Sequence, residues 1–274
     1  MDNVVSLPKL ARRRAIKCVS MWTLVLAAIS AALFAIVRAE SALGTVFDWP
    51  ILLKLNHYAS QGAFLNHSID VIIDQHILTG VLLVGLWWYL WFQSNSEAAK
   101  AELLLGLGAA VGAVIFSRGL QVLLPTHLRP LHAPAPGFNV PPGIDIATLN
   151  GWNSFPSDHA CLYVGLATVI WRRSPMLGLF ALLPALLGSL PRIYLGYHYP
   201  SDVIFGALLG MTIVLLVSNY GPETAARRAI VFEQRRPGVF YAFGFLLTYE
   251  IGTLFEDIRT IGFGLANVYR HAGG

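Results

Sequence analysis

The stretch 191-PRIYLGYHYPSDVIFGALLGMTIVLLVSNY-220 decides how the chain is read. From about 202 to 219 it is almost wholly apolar. Roughly 20 such residues in a helix cross about 30 Å of hydrocarbon. Directly before this run stand Arg192, His198 and Asp202. The passage is therefore a membrane span entered through a charged, titratable turn, and the rest of the chain is read outward from it.

The composition agrees with a membrane fold. Of 274 residues, 55% are hydrophobic and 12% charged, the latter about half the usual share of a soluble domain. Working back from 202–219, further apolar segments lie at about 19–37, 77–93, 101–124, 158–171 and 176–190. The expected fold is all-α, a polytopic bundle of six transmembrane helices. A seventh candidate, about 238–255, contains Glu250, which makes it a bundle-facing or interfacial helix. Residues 1–17 read as a basic tail, 18–219 as the six-span domain and 220–274 as a carboxy-terminal extension. Lys9, Arg12, Arg13, Arg14 and Lys17 precede the run Cys18–Val37, which exceeds the about 7–15 residues of a signal h-region and reads as a retained helix.

Orientation follows the basic residues. A cytoplasmic amino terminus puts Arg172, Arg173, Arg227, Arg228, Arg235 and Arg236 on the same side. Segments 38–76, 125–157 and 191–201 then lie on the far side. Trp152, Phe155, Tyr197 and Tyr199 suit an interfacial aromatic belt there. The net charge of +4 is scattered in short clusters, so nucleic acid is not expected as a partner. Cys18 and Cys161 form no disulfide framework or metal-ligand pair.

Three polar clusters fall on that far side: Arg129-Pro130, Pro156-Ser157-Asp158-His159, and Arg192 with His198 and Asp202. Guanidinium groups match phosphate oxygens, so Arg129 and Arg192 suit an anion clamp. Pro156 and Ser157 open a helix whose free N–H groups and dipole would face the same anion. His159 can donate a proton to a leaving oxygen. If the sixth span starts early, His198 and Asp202 share a face. A carboxylate on one imidazole nitrogen would leave the other free to attack phosphorus.

With these residues the sequence resembles the phosphatidic acid phosphatase type 2 superfamily, which includes glucose-6-phosphatase and the vanadium haloperoxidases. Its signature is Lys-x6-Arg-Pro, Pro-Ser-Gly-His and Ser-Arg-x5-His-x3-Asp, and the likeness runs over about 100–219. The resemblance implies His198 as nucleophile, Asp202 as its orienting partner and His159 as the acid. It implies Arg129, Arg192, Ser157 and the backbone of Asp158 as holders of the phosphoryl group. It implies no metal or other cofactor. His127 and His132 bracket Arg129, but neither has a carboxylate or cysteine at ligand spacing.

Three departures stand out. Asp158 replaces a glycine, Pro191 replaces a serine, and Val122 stands where the lysine belongs. Arg118, one helical turn before Val122, is the expected substitute in the phosphate clamp if its side chain can snorkel to the surface. Its alternative role is a helix–helix ion pair, and Lys54 is a second candidate. The expected activity is metal-independent hydrolysis of a lipid phosphate or diphosphate, with undecaprenyl diphosphate the favoured substrate. The expected location is a bacterial plasma membrane with the site facing the periplasm or exterior. A lipid phosphotransferase and a catalytically silent lipid-phosphate binding or transport protein are the alternatives.

Overall fold

The computed structural model describes residues 44–60 and 62–262, so the expected span 19–37 lies outside the described residues. Among the described residues every regular element is helical. A π-helical turn, Gly44–Asp48, leads into α1 (Trp49–Asn56) and α2 (Ala63–Asp74). The bundle follows as α3 (Gly80–Gln93), α4 (Glu97–Leu123), α5 (Asp158–Arg173), α6 (Pro175–Leu187), the short α7 (Pro191–Tyr194) and α8 (Pro200–Tyr220). Then come α9 (Glu223–Arg235) and α10 (Pro237–Gly252). After an 85° bend a last helix, α11, runs over Glu256–Gly262.

Three helical stretches among the described residues are long and apolar enough to cross a bilayer: α4, Pro175–Tyr194 and α8. A fourth counts if α10 and α11 form one bent span. The expected count of six is therefore met only in part. The segments expected at 77–93 and 158–171 are helices of 14 and 16 residues. At about 1.5 Å per residue they fall short of the hydrocarbon thickness. The shortness of α5 is tolerable because it is wrapped by protein: α3, α4, α6 and α8 all pack on it. Local signals set the helix starts. Ser96 caps α4 by accepting from the Ala99 N–H at 3.2 Å, and a proline in the first turn opens α6, α8 and α10, where its missing N–H costs nothing.

The contact that builds the site is the close approach of α5 and α8. A Cβ at Gly206 would lie 2.2 Å from the Ser157 carbonyl oxygen, and one at Gly210 would lie 2.0 Å from that of Cys161. Two glycines four residues apart thus form a groove into which the backbone of α5 sits, a device common where helices meet in lipid. The approach also brings the Ser157 N–H to the Asp202 carbonyl at 3.1 Å. The start of α5 and the start of α8 are thereby held together at one end of the bundle.

The opposite end carries the basic residues. Arg172 pairs with Glu102 at 2.9 Å, and Lys100 pairs with Glu233 at 2.6 Å. There α9 packs on α4. The extension then returns along α3 through α10, where Trp88 Nε1 donates to Thr248 at 2.9 Å and Trp91 Nε1 to Tyr241 at 3.2 Å. The aromatic belt differs from expectation. Phe155 packs against Phe205 and Tyr199 against Trp49, both buried within protein, while Trp152 remains 44% exposed. The reason is that segment 125–157 is pinned down onto the 191–201 turn, with the Leu131 N–H donating to the Gly196 carbonyl at 2.9 Å.

Gly210→Val should drive a side chain into the Cys161 carbonyl. A destabilisation at or beyond the upper end of the usual about 1–3 kcal/mol for overpacking is expected. Gly112→Ala, whose Cβ meets nothing within 4 Å, is the control and should change stability little. Thermal unfolding in detergent checks both, and equal midpoints for the two variants would contradict the groove.

Candidate active site

The clamped end of the bundle holds a cavity of about 420 Å³, within the range typical of small-ligand sites. Its inner wall is made by Arg118, Arg129, Asp158, His159, Arg192 and His198. Thus all three polar clusters contribute to one cavity, as their common side predicts. Ser157 and Asp202 do not line it: both are fully buried behind it.

His198 sits just before α8. Its Nδ1 lies 2.8 Å from the Ser154 carbonyl oxygen and 3.7 Å from Asp202 Oδ2. The closer partner is a carbonyl, which can only accept, so Nδ1 carries the proton. On the other side Nε2 lies 3.4 Å from Nη1 of Arg129. A guanidinium can only donate, so Nε2 holds its lone pair. Both neighbours therefore select the same neutral tautomer. Burial depresses the His198 pKa; Asp202 opposes the shift and Arg129 adds to it, the net effect being downward.

Asp202 supports this arrangement from behind. Its Oδ2 accepts from the Ser154 hydroxyl at 2.5 Å and from the Tyr199 N–H at 2.8 Å. The carboxylate thereby caps α8 and holds the strand of chain whose carbonyl orients His198. The expected direct pairing of His198 with Asp202 is a longer electrostatic contact, because His198 precedes the helix and the Ser154 carbonyl is interposed.

Arg129 is 3% exposed. Its Nη1 donates to the Tyr197 carbonyl at 2.6 Å and its Nη2 to the Asn153 carbonyl at 3.1 Å. Among the described residues its Nε has no partner. Arg192 is anchored, among the described residues, by one bond, from Nε to the Gly188 carbonyl at 3.0 Å, which leaves its outer donors for the cavity. Ser157 is the N-cap of α5 and its oxygen accepts from the Ala160 N–H at 3.5 Å. Its side chain is thus turned into the helix and away from the cavity, and Pro156 lies one residue before the cap.

Val122 is 80% exposed and points away, whereas Arg118 reaches the cavity wall. Its guanidinium lies 5.2 Å from the Trp152 ring and 3.2 Å from Gln121 Oε1, and it forms an ion pair with Asp158. Asp158 Oδ1 is also 3.4 Å from His159 Nδ1. Asp158 and Arg118, both singled out in the sequence, are therefore in contact with each other. Arg118 thus lines the cavity and joins α4 to α5 through its ion pair with Asp158.

Sequence reasoning missed the residues that position this wall. Asn153 accepts from the N–H groups of His127 and Phe155 at 3.2 and 3.3 Å, and donates to the carbonyls of Gln121 and Pro125, both at 3.1 Å. Gln121 in turn donates to the Pro156 carbonyl at 2.7 Å. An amide in a proline-rich loop, with four backbone groups to satisfy, is the available signal, but it names no partners. His76, Glu256 and Arg259 at the rim lie outside every motif. Among the described residues no three His, Cys, Asp or Glu side chains converge as a metal site.

Residues 104–225 match the family described as the PAP2 superfamily. The bacitracin transport permease protein BcrC of Bacillus licheniformis is 42% identical over 71 residues, 26% of this chain and 35% of that protein. The undecaprenyl-diphosphatase BcrC of Bacillus subtilis (strain 168) is 27% identical over 169 residues, 62% of this chain and 82% of that protein. The crystal structure of a transmembrane PAP2 type phosphatidylglycerolphosphate phosphatase from Bacillus subtilis superposes with a TM-score of 0.44 at 20% identity. The match covers 74% of this chain and 93% of that one.

Asn153→Ala would leave four backbone groups without their partner. A loss of about 1–3 kcal/mol is expected, read as a lower unfolding midpoint in detergent and faster proteolysis within 125–157. An unaltered midpoint would show that the amide holds nothing.

Proposed function

We propose that this integral membrane chain, a member of the PAP2 superfamily over residues 104–225, hydrolyses a lipid phosphate or diphosphate through a phosphohistidine on His198. The observation that carries the reading is the fixed tautomer of His198, whose unprotonated Nε2 faces a cavity walled by Arg129, Arg192 and His159.

In the first step Nε2 attacks phosphorus and the bond to the leaving oxygen breaks. His159 delivers a proton to that oxygen. Positive charge spreads over the His198 ring as the N–P bond forms, and the Asp202 carboxylate behind it offsets this charge. Arg129 and Arg192 neutralise the equatorial oxygens, with little conformational change because Arg129 is already held by two carbonyls. In the second step His159 takes a proton from water, the oxygen attacks phosphorus, the N–P bond breaks and inorganic phosphate leaves. Ser157 acts as the cap that fixes α5 and with it His159.

Asp158 and Arg118 receive linked roles. The ion pair to Arg118 offsets the cost of a carboxylate at a phosphate site, and the second oxygen of Asp158 steadies His159. Asp158 is thus a positioning residue, contacting phosphate through its backbone N–H alone, while Arg118 adds positive potential at the wall.

The substrate class follows from where the site lies and from the relatives. The cavity is at the end of the bundle away from Arg172 and Lys100, so the basic-residue rule supports a periplasmic or extracellular site. A headgroup can enter there while its chains stay in lipid. A polyprenyl diphosphate such as undecaprenyl diphosphate is the favoured substrate, supported by the name of the Bacillus subtilis relative.

Phosphate release by the purified protein from polyprenyl and glycerolipid phosphates in EDTA tests the activity. His198→Ala should release none and form no acid-labile phosphoenzyme; a normal phosphoenzyme in that variant would remove the assignment. With an aryl phosphate, whose leaving group needs no proton, the rate of phosphoenzyme formation should fall on acidification only below about pH 6.5, the free-imidazole value. The sign follows from burial: a depressed pKa keeps His198 neutral to lower pH. An inflection above that value assigned to His198 would contradict it. Asp158→Asn should slow turnover of alkyl phosphates by about tenfold or more, a part of the about 10²–10⁴ that an acid catalyst supplies. It should slow aryl phosphates far less, and equal losses on both would reduce Asp158 to a structural role.

A further inference from the structure

The cavity extends outward past the catalytic wall to a rim built by residues from outside the family-matched segment. His76 follows α2, while Glu256 and Arg259 lie on α11, and all three line the same cavity as Arg192 and His198. The carboxy-terminal extension therefore contributes directly to the site.

The geometry that puts α11 there is specific. A Cβ on Gly80 would lie 1.8 Å from the Gly252 carbonyl oxygen, so α10 ends with its backbone against the start of α3. Leu254 and Phe255 follow with φ of 54° and 58°, left-handed values uncommon for residues other than glycine and costing roughly 1–3 kcal/mol each. Leu254 is nonetheless buried, and the Phe255 N–H donates to the Glu250 carbonyl at 2.6 Å. This double left-handed turn makes the 85° bend. The Glu256 carboxylate then meets Nε2 of His76 at hydrogen-bond distance, which fixes α11 across the opening.

The charges on the wall are not equivalent. Arg118 is matched by Asp158, and Glu256 is hydrogen-bonded to His76. Arg129 and Arg192 spend donors on backbone carbonyls deep in the cavity. Arg259 is exposed and, among the described residues, forms no ion pair. Among the described residues it is thus an unpaired guanidinium on the exposed side of a cavity whose buried side suits one phosphoryl group.

We propose that Arg259 forms a second phosphate subsite, which binds the phosphate retained on the lipid when a diphosphate is hydrolysed and so favours diphosphates over monophosphates. The inference rests on the phosphatase reading above. The terminal phosphoryl sits at the inner wall and is transferred to His198 Nε2. The oxygen bridging the two phosphorus atoms leaves with the lipid monophosphate and takes the proton from His159. Arg259 stabilises the charge that grows on this leaving phosphate. A monophosphate has no group at that position.

Farnesyl diphosphate and farnesyl monophosphate distinguish the two claims. With wild-type protein, release from both substrates supports the phosphatase reading, and release from neither removes it and the subsite together. Arg259→Gln should lower the kcat/KM ratio of diphosphate over monophosphate by about tenfold or more, the usual weight of a charge-assisted bond, and Arg259→Lys should restore part of it. Inorganic pyrophosphate should likewise weaken as a competitive inhibitor in Arg259→Gln more than orthophosphate does. Parallel losses on both substrates, or an unchanged ratio, would overturn the subsite while leaving the phosphatase standing.

Discussion

Everything in this molecule hangs on how closely α5 and α8 approach. In a bilayer no hydrophobic force drives one apolar helix onto another, so contact must come from fit. Gly206 and Gly210 supply it by leaving room for the carbonyls of Ser157 and Cys161. The consequence is chemical as much as structural. His159 lies two residues beyond Ser157, and His198 lies just before α8, so the two line one cavity because these helices meet. The Ser157 N–H to Asp202 carbonyl bond fixes the register of the approach.

From that clamp the site is assembled largely by backbone groups. Carbonyls of Ser154, Asn153, Tyr197 and Gly188 receive the donors of His198, Arg129 and Arg192. Side chains such as Asn153, Gln121 and Asp202 brace the chain on either side of those carbonyls through other backbone groups and the Ser154 hydroxyl. In a low-dielectric setting such a fixed array of dipoles is worth more than it would be in water. It also explains why a loop rich in proline and glycine, 125–157, can carry precise geometry: nearly every turn of it is tied to a neighbour.

The sequence made the all-α membrane class legible, because apolar runs and basic ends report directly on lipid. It also made the cavity's principal residues legible, since Arg129, His159, Arg192 and His198 stand out as polar groups in an apolar chain. Two things were hidden. Span length was one: α3 and α5 are shorter than the bilayer core, and only packing partners reveal why that is tolerable. Partnership was the other. Asp158 read as a backbone donor replacing glycine, yet its carboxylate meets Arg118. Asp202 read as the direct partner of His198, yet a carbonyl stands nearer. Ser157 read as a phosphate ligand, yet its oxygen turns into its own helix. Contacts between residues far apart in the chain, such as His76 with Glu256, have no local signal at all.

The carbonyl of Ser154 has a consequence for how such a protein can change over generations. The group that orients His198 belongs to the main chain and is present whatever codon stands at position 154. Point mutation there can remove the hydroxyl that braces Asp202, but it cannot delete the acceptor that sets the imidazole's tautomer. Orientation of the His198 ring is thus inherited with the path of the polypeptide, and it drifts only when the surrounding loop is rebuilt.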